Sequence, residues 1–113
     1  MPWDQQNLVL EVLRSLSPKP TLIIEGEARG ADTICKVIAI YMGIPVQKCP
    51  ADWKTYGKKA GAIRNQQMLD LNPDLVVAFH PETGITPGTR DMVTRANVKG
   101  TPVQIYTYPE SGT

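Results

Sequence analysis

Hydrophobic positions along the chain alternate between helical spacing and short continuous runs. Apolar residues at i, i+3 and i+4 spacing, which is typical of helices with one buried stripe, occur in four segments: 1–16, 31–42, 61–71 and 89–99. Short apolar runs, which suit strands buried on both faces, occur between and after them: 21–25, 45–49, 74–79 and 102–106. One helix is thus followed by three strand–helix pairs and a last strand. This order predicts an α/β fold with a short parallel sheet of about four strands flanked by helices.

Glycine and proline mark the predicted helix ends. The segment 17–20 contains two prolines, which cannot continue the first helix. Gly43 and Gly100 follow the second and fourth helices in the usual C-terminal position. Thr89 is the predicted N-cap of the last helix, and residues 108–113 are predicted to be a frayed tail.

Three polar, glycine-bearing loops follow the predicted strands: 26–32, 51–68 and 80–89. Each leaves the carboxyl end of a strand. Ligands of open parallel sheets bind outside those ends. The sequence therefore predicts one ligand cleft lined by the three loops.

The first of these loops offers an anion site. A glycine-rich turn directly before a helix presents backbone N–H groups and a positive helix end to a phosphate, and Arg29 can add a paired hydrogen bond. The residues of interest are Gly26, Ala28, Arg29, Gly30 and Asp32. The alternative is a tight turn without a ligand, in which Arg29 pairs with a neighbouring carboxylate.

The second loop, 51–68, is long and carries most of the chemistry. Arg64 and Asn65 fall near the start of a helix, where free N–H groups favour anions. Trp53 and Tyr56 can stack on a base, or cover the edge of the sheet. Asp52 can accept from a ribose hydroxyl, or act as an N-cap. Gly57, Lys58 and Gly61 complete this part of the predicted site.

The composition and net charge of the chain limit the functions that we expect. The chain has 113 residues, which suits one domain over 1–113, and a net charge of +1 that gives no bulk attraction to nucleic acid. No apolar run approaches a membrane span and no signal peptide is evident, so we expect a cytoplasmic protein. Cys35 and Cys49 are then reduced thiols. With His80 the only histidine, we expect neither a metal site nor a cofactor.

Several strings together resemble the YspA-like branch of the SLOG superfamily. They are Gly-x-Ala-Arg-Gly-Ala-Asp at 26–32, Ala-Asp-Trp at 51–53, Gly-x-x-Ala-Gly-x-x-Arg-Asn-x-x-Met at 57–68, Asp-Leu-Val-Val-Ala-Phe at 74–79 and Gly-Thr-x-Asp-Met at 88–92. The resemblance implies a Rossmann-like three-layer fold and a nucleotide or nucleotide-derived ligand, such as a nucleoside phosphate or an ADP-ribose-like compound. It also implies a sensing role in conflict or stress systems of bacteria and their phages. Gly84, Gly88 and Thr89 join the implied ligand-binding residues.

Two departures from the family pattern change what the resemblance implies. Family members begin with a further central strand and its glycine-rich turn, whereas this chain begins at the helix that follows. The open strand edges left by the missing strand favour association, so we expect a homo-oligomer.

The second departure concerns catalysis. The phosphoribohydrolase relatives carry a glutamate where this chain has Met92, and Asp91 lies one position earlier, about 100° away on a helix. Arg64 and Asp91 are the catalytic candidates if the protein is an N-glycosidic hydrolase. Two further functions stay open: a nucleic-acid-associated protein, by analogy with DNA-processing protein A, and a protein-interaction module.

Overall fold

The computed structural model describes residues 3–26 and 31–108, and the side chains of 6–26 and 34–108. In chain order the elements are α1 (Trp3–Ser15), β1 (Ile23–Glu25), α2 (Ala31–Met42), β2 (Val46–Lys48), α3 (Trp53–Tyr56), a 3-10 turn (Gly57–Lys59), α4 (Ala60–Asp70), β3 (Val76–Pro81), α5 (Pro87–Lys99) and β4 (Val103–Tyr108). The prediction of an α/β fold with parallel strands is confirmed.

The described strands form two parallel pairs. In β1 and β2, Ile23 is opposite Val46, and in β3 and β4, Val76 is opposite Val103. Each pair is joined through one helix, α2 in the first case and α5 in the second. We expected one sheet of about four strands, whereas the hydrogen bonding gives two sheets of two. The connection from β2 to β3 differs from the other two, because it holds α3, the 3-10 turn and α4 rather than a single helix.

Among the described residues, those up to Pro50 form one compact unit. Its core joins α1 to α2, since Val9, Val12 and Leu13 are buried on α1 while Ile34 and Ala39 are buried on α2. The stripe on α1 is the one that its hydrophobic spacing predicts.

The residues from Ala51 onward form the second unit. Here α4 packs against α5, and α5 contacts both β3 and β4. Ala60, Leu69, Ala78 and Ala96 are buried. Between the two strands, the rings of Phe79 and Tyr106 stack with centroids 5.8 Å apart.

Helix ends follow the predicted signals at the C-terminal side. Gly43 and Gly100 both adopt positive φ, +74° and +88°. After each glycine the next amide reaches five residues back, from Ile44 to the carbonyl of Ala39 and from Thr101 to that of Ala96. These are Schellman-type ends, in which glycine avoids the strain of a left-handed residue.

The N-cap of α5 was predicted wrongly. Thr86 caps the helix rather than Thr89, because the amide of Thr89 donates to the Thr86 hydroxyl over 3.3 Å. Pro87 occupies the first helical position, where its missing N–H has no intrahelical acceptor to lose. The short helix α3 was not predicted at all.

Candidate functional site

The glycine-rich turn after β1 lies mostly outside the described residues. Gly26 is buried directly after the strand. Ala28, Arg29 and Gly30 are outside the described part of the chain, and so is the side chain of Asp32. The anion site predicted there stays a prediction.

Asp52 begins the second loop as a helix cap. Its Oδ1 accepts from the amide of Thr55 over 3.1 Å and caps α3. Of the two roles that the sequence offers for Asp52, an N-cap and a ribose contact, this is the N-cap. It leaves the second carboxylate oxygen for another partner.

Trp53 and Tyr56 stand on α3 as exposed aromatic side chains, 60% and 46% accessible. The ring of Trp53 lies over Gly61, where a Cβ would sit 3.5 Å from its Cη2 atom. One edge of the indole therefore contacts the first turn of α4, while more than half of the side chain remains open to solvent. An aromatic group presented in this way can stack on a planar ligand.

The 3-10 turn links α3 to α4 and adds positive charge. Gly57 has φ +59°, which favours glycine, and Lys58 and Lys59 are exposed behind it. Residues 51–70 hold more cations than carboxylates: Lys54, Lys58, Lys59 and Arg64 against Asp52 and Asp70. The nearly neutral chain thus has a locally positive segment.

Asn65 joins α4 to the start of α5. Its side chain is 5% exposed, and its amide nitrogen donates to the carbonyl of Gly88 over 3.2 Å and to Asp91 Oδ2 over 2.9 Å. Arg64 Nε donates to Asn65 Oδ1 over 3.1 Å. Because a buried amide is costly unless its groups are bonded, this network fixes the two helices relative to one another. We name Arg64, Asn65, Gly88 and Asp91 the helix junction.

Asp91 is held by two donors. Arg95 Nε donates to Asp91 Oδ2 over 2.8 Å, next to the bond from Asn65. Burial alone raises the pKa of Asp91, but the hydrogen bonds from Asn65 and Arg95 and the charge of Arg95 outweigh it, so that the pKa lies below its ordinary value. The group is therefore a carboxylate at neutral pH and does not supply a proton.

The remaining predicted residues belong to the loop before α5. Gly84 has φ +142° and donates its amide to the Pro81 carbonyl over 3.0 Å. Thr89 is half-buried and receives a hydrogen bond from the Thr86 hydroxyl over 2.9 Å. Gly88 differs from Gly84 in its backbone, because its φ is not left-handed. At both glycines nothing lies within 4 Å of a Cβ built on the backbone.

The structure brings together Arg64, Asn65, Gly88 and Asp91, which the sequence nominated separately. Sequence reasoning missed Gln66 and Arg95, whose side chains are joined over 3.1 Å. The pairing of Arg95 with Asp91 has a local signal, since oppositely charged residues at i and i+4 face one another on a helix. The partner of Gln66 has none, because it lies 29 positions away.

Other chemistry is limited in the part of the chain that the structure describes. No group of three or more His, Cys, Asp or Glu side chains there could hold a metal ion. Cys35 and Cys49 are half-buried thiols. Of the helices described, none is both long and apolar enough to cross a membrane.

The fold and the helix junction define a small α/β protein with two parallel β-α-β units. Over 109 aligned residues the chain is 33% identical to the Gene 61 protein of Mycobacterium phage D29. The alignment covers 89% of this chain and 86% of that protein. The chain belongs to the family of that phage protein. This agrees with the expected bacterial or phage origin. No protein-family model matches the chain, and no solved structure matches it.

Proposed function

We propose that the protein binds a nucleotide or nucleotide-derived small molecule, of the nucleoside phosphate or ADP-ribose type, at the helix junction. The observation that carries the proposal is Gly88. The fold does not require glycine there, since its backbone is not left-handed and a Cβ would meet open space. Glycine inside a helix is less stable than alanine by up to about 1 kcal/mol. A ligand that approaches the backbone closely accounts for it.

The first turn of α5 supports this position, whereas Arg64 and Asn65 lie in the second turn of α4 and not at its start as the sequence predicted. Asn65 ties the second turn of α4 to the first turn of α5 through the Gly88 carbonyl. The first amides of a helix lack intrahelical acceptors and carry partial positive charge. A phosphate beside this junction gains from that charge and from the guanidinium of Arg64, which Asn65 orients.

The neighbouring segment offers groups for the rest of a nucleotide. Lys58 is exposed on the 3-10 turn, and Trp53 presents an open ring surface beside Gly61. Phosphate contacts from Arg64 and Lys58, with stacking on Trp53, are the expected division of roles. Asp52 retains one carboxylate oxygen for a ribose hydroxyl.

The wider family resemblance of the sequence motifs supports further expectations. Membership of the YspA-like SLOG branch, a Rossmann-like three-layer arrangement and a cytoplasmic location are proposed from the ordered strings at 26–32, 51–68, 74–79 and 88–92. The anion-binding role of Arg29 and its flanking glycines is proposed on the same basis.

Calorimetric titration with nucleoside phosphates, cyclic nucleotides and ADP-ribose derivatives tests the proposal. We expect Arg64→Ala to weaken binding about tenfold or more, because a charge-assisted bond to phosphate is lost. Arg14→Ala is the matched control, since Arg14 is an exposed arginine on α1, outside the proposed site. Absence of binding at ligand concentrations near about 1 mM would contradict the proposal, and so would equal losses in the two variants.

N-glycosidic hydrolysis of the same ligand is the second candidate function. Asn65 bridges the two catalytic candidates, because it accepts from Arg64 and donates to Asp91. An ionised Asp91 can stabilise positive charge developing on a sugar. Chromatography of a bound ligand after long incubation tests this reading. Recovery of the intact ligand from native protein would exclude hydrolysis of that compound.

A further inference from the structure

A shallow groove runs along α4, and none of the residues that line it is assigned to the ligand site. It has a volume of about 530 Å³, and Arg95 of α5 forms one wall. The other lining residues are Lys59, Ala62, Ile63, Gln66, Gln67 and Asp70. They recur at the three- and four-residue spacing of one helical stripe.

The stripe consists of two parallel rows. Lys59, Ile63 and Gln67 form the outer row, of which both ends are exposed. Ala62, Gln66 and Asp70 form the inner row, beside Arg95. Rows of residues four apart are the ridges by which helices pack into one another's grooves.

The two ends of the stripe carry opposite charges, with a cation at one end and a carboxylate at the other. Lys59 precedes α4 directly and Asp70 is its last residue, so the two ends lie about 16 Å apart along the helix axis. A parallel copy of this stripe would place like charges together. An antiparallel copy would place opposite charges together at both ends.

We propose that this groove is the contact surface for a second copy of the chain, with the two α4 helices antiparallel about a two-fold axis. The two-fold axis crosses the stripe midway along its length, at the level of residues 64 and 65 along α4. It sets each outer-row residue against an inner-row residue of the other copy: Lys59 against Asp70, Ile63 against Gln66, and Gln67 against Ala62. Such an interface is isologous, as in most homodimers.

Side chains in the groove are already ordered for this contact. Gln66 accepts from Arg95 over 3.1 Å and donates to Asp70 over 2.9 Å. The carboxylate at the end of the stripe is therefore positioned before association, which lowers the entropy lost on binding. The two Lys59–Asp70 contacts specify the antiparallel direction, since a parallel arrangement brings like charges together.

Charge reversal at the two ends provides the test. We expect Lys59→Glu and Asp70→Lys each to raise the dimer dissociation constant about tenfold or more, because each places like charges together at both ends. Mixing the two variants restores the dimer as a heterodimer with opposite charges at both ends. The double variant Lys59→Glu/Asp70→Lys restores the homodimer. Analytical ultracentrifugation of the full chain over a range of concentrations measures all four cases.

Lys54→Glu and Asp74→Lys are the matched controls, because both residues are exposed and lie off the stripe. They should leave the dissociation constant unchanged, and circular dichroism verifies the fold of each variant. Native protein that stays monomeric at every concentration would overturn the proposal. Binding of inorganic phosphate to the groove would not change that conclusion. A dimer that survives both reversals would also overturn it and direct attention to the exposed Val37, Ile40 and Tyr41 on α2.

Discussion

The amide nitrogen of Asn65 lies 2.9 Å from Asp91 Oδ2, across the packed faces of α4 and α5. The same nitrogen reaches the Gly88 carbonyl. One buried side chain therefore sets the position of both the carboxylate and the backbone at the start of α5. The ligand-binding role proposed for this residue is therefore coupled to its structural role, and stability measurements must accompany any binding measurement.

Replacing Asn65 by alanine should lower the free energy of unfolding by about 2 kcal/mol. The change leaves the Gly88 carbonyl and one Asp91 oxygen without this donor and opens a small gap between the helices. Urea denaturation followed by circular dichroism measures the loss. Asn97→Ala is the control, because Asn97 is an exposed asparagine on α5 and its removal should change stability by no more than about 0.5 kcal/mol. Equal effects of the two changes would show that the junction contributes nothing.

Stability should depend on pH through Asp91. Its pKa in the folded protein lies below the ordinary value of 3.8, so its contribution is fully present above that value and is lost as the pH falls through the folded pKa. The difference in unfolding free energy between native protein and Asp91→Asn should be constant from neutral pH to about pH 5 and shrink below about pH 4.

Denaturation curves taken across this pH range measure that difference. Asp74→Asn corrects for the loss of one negative charge at an exposed position. A difference between native protein and Asp91→Asn that stays constant down to about pH 2 would contradict the interpretation of Asp91 as a bonded carboxylate.

Gly88→Ala should separate ligand binding from folding. The new Cβ enters open space on a backbone that alanine adopts readily, so the free energy of unfolding should stay the same or rise by up to about 1 kcal/mol. Ligand affinity should fall about tenfold, because the methyl group blocks approach to the backbone. Calorimetric titration and thermal denaturation of one preparation give both values. Unchanged affinity would remove the main support for a ligand at this position.

Gly100→Ala, at the other end of α5, should lower the stability of the fold and leave ligand affinity unchanged. The φ of +88° at Gly100 strains any residue with a Cβ, and the change should cost about 1–2 kcal/mol. Ligand affinity should be unaffected in the folded protein. Gly100→Asn should recover part of the loss, since asparagine tolerates this conformation better. A neutral Gly100→Ala would contradict the assigned helix end.

Much of the secondary structure could be predicted from hydrophobic spacing. The segment 31–42 predicts the bounds of α2, and glycine after a periodic segment predicts the ends of α2 and α5. The helix α3 has only four residues, too few for a periodic signal, and it depends on the cap provided by Asp52. The sequence predicted Thr89 as the cap of α5, but Thr86 is also a threonine before the apolar stripe, and Pro87 at the first helical position selects it.

The candidate site was predicted in composition but not in its contacts. Arg64, Asn65, Gly88 and Asp91 were nominated from their residue types and from a family resemblance. The bonds of Asn65 join positions 23 and 26 apart in sequence, so they follow from helix packing that no local pattern encodes. Asp52 shows the same limit, because capping and ribose binding use the same carboxylate and the same sequence position.

Each parallel pair joins strands that are consecutive in the chain and share one intervening helix. In the described residues, every hydrogen bond between strands therefore joins two strands from the same half of the sequence. Loop-closure entropy rises with the length of chain enclosed, so neither pair must wait for the distant half before it forms. Amide hydrogen exchange should accordingly resolve two groups of protected strand amides, each opening as its own cooperative unit.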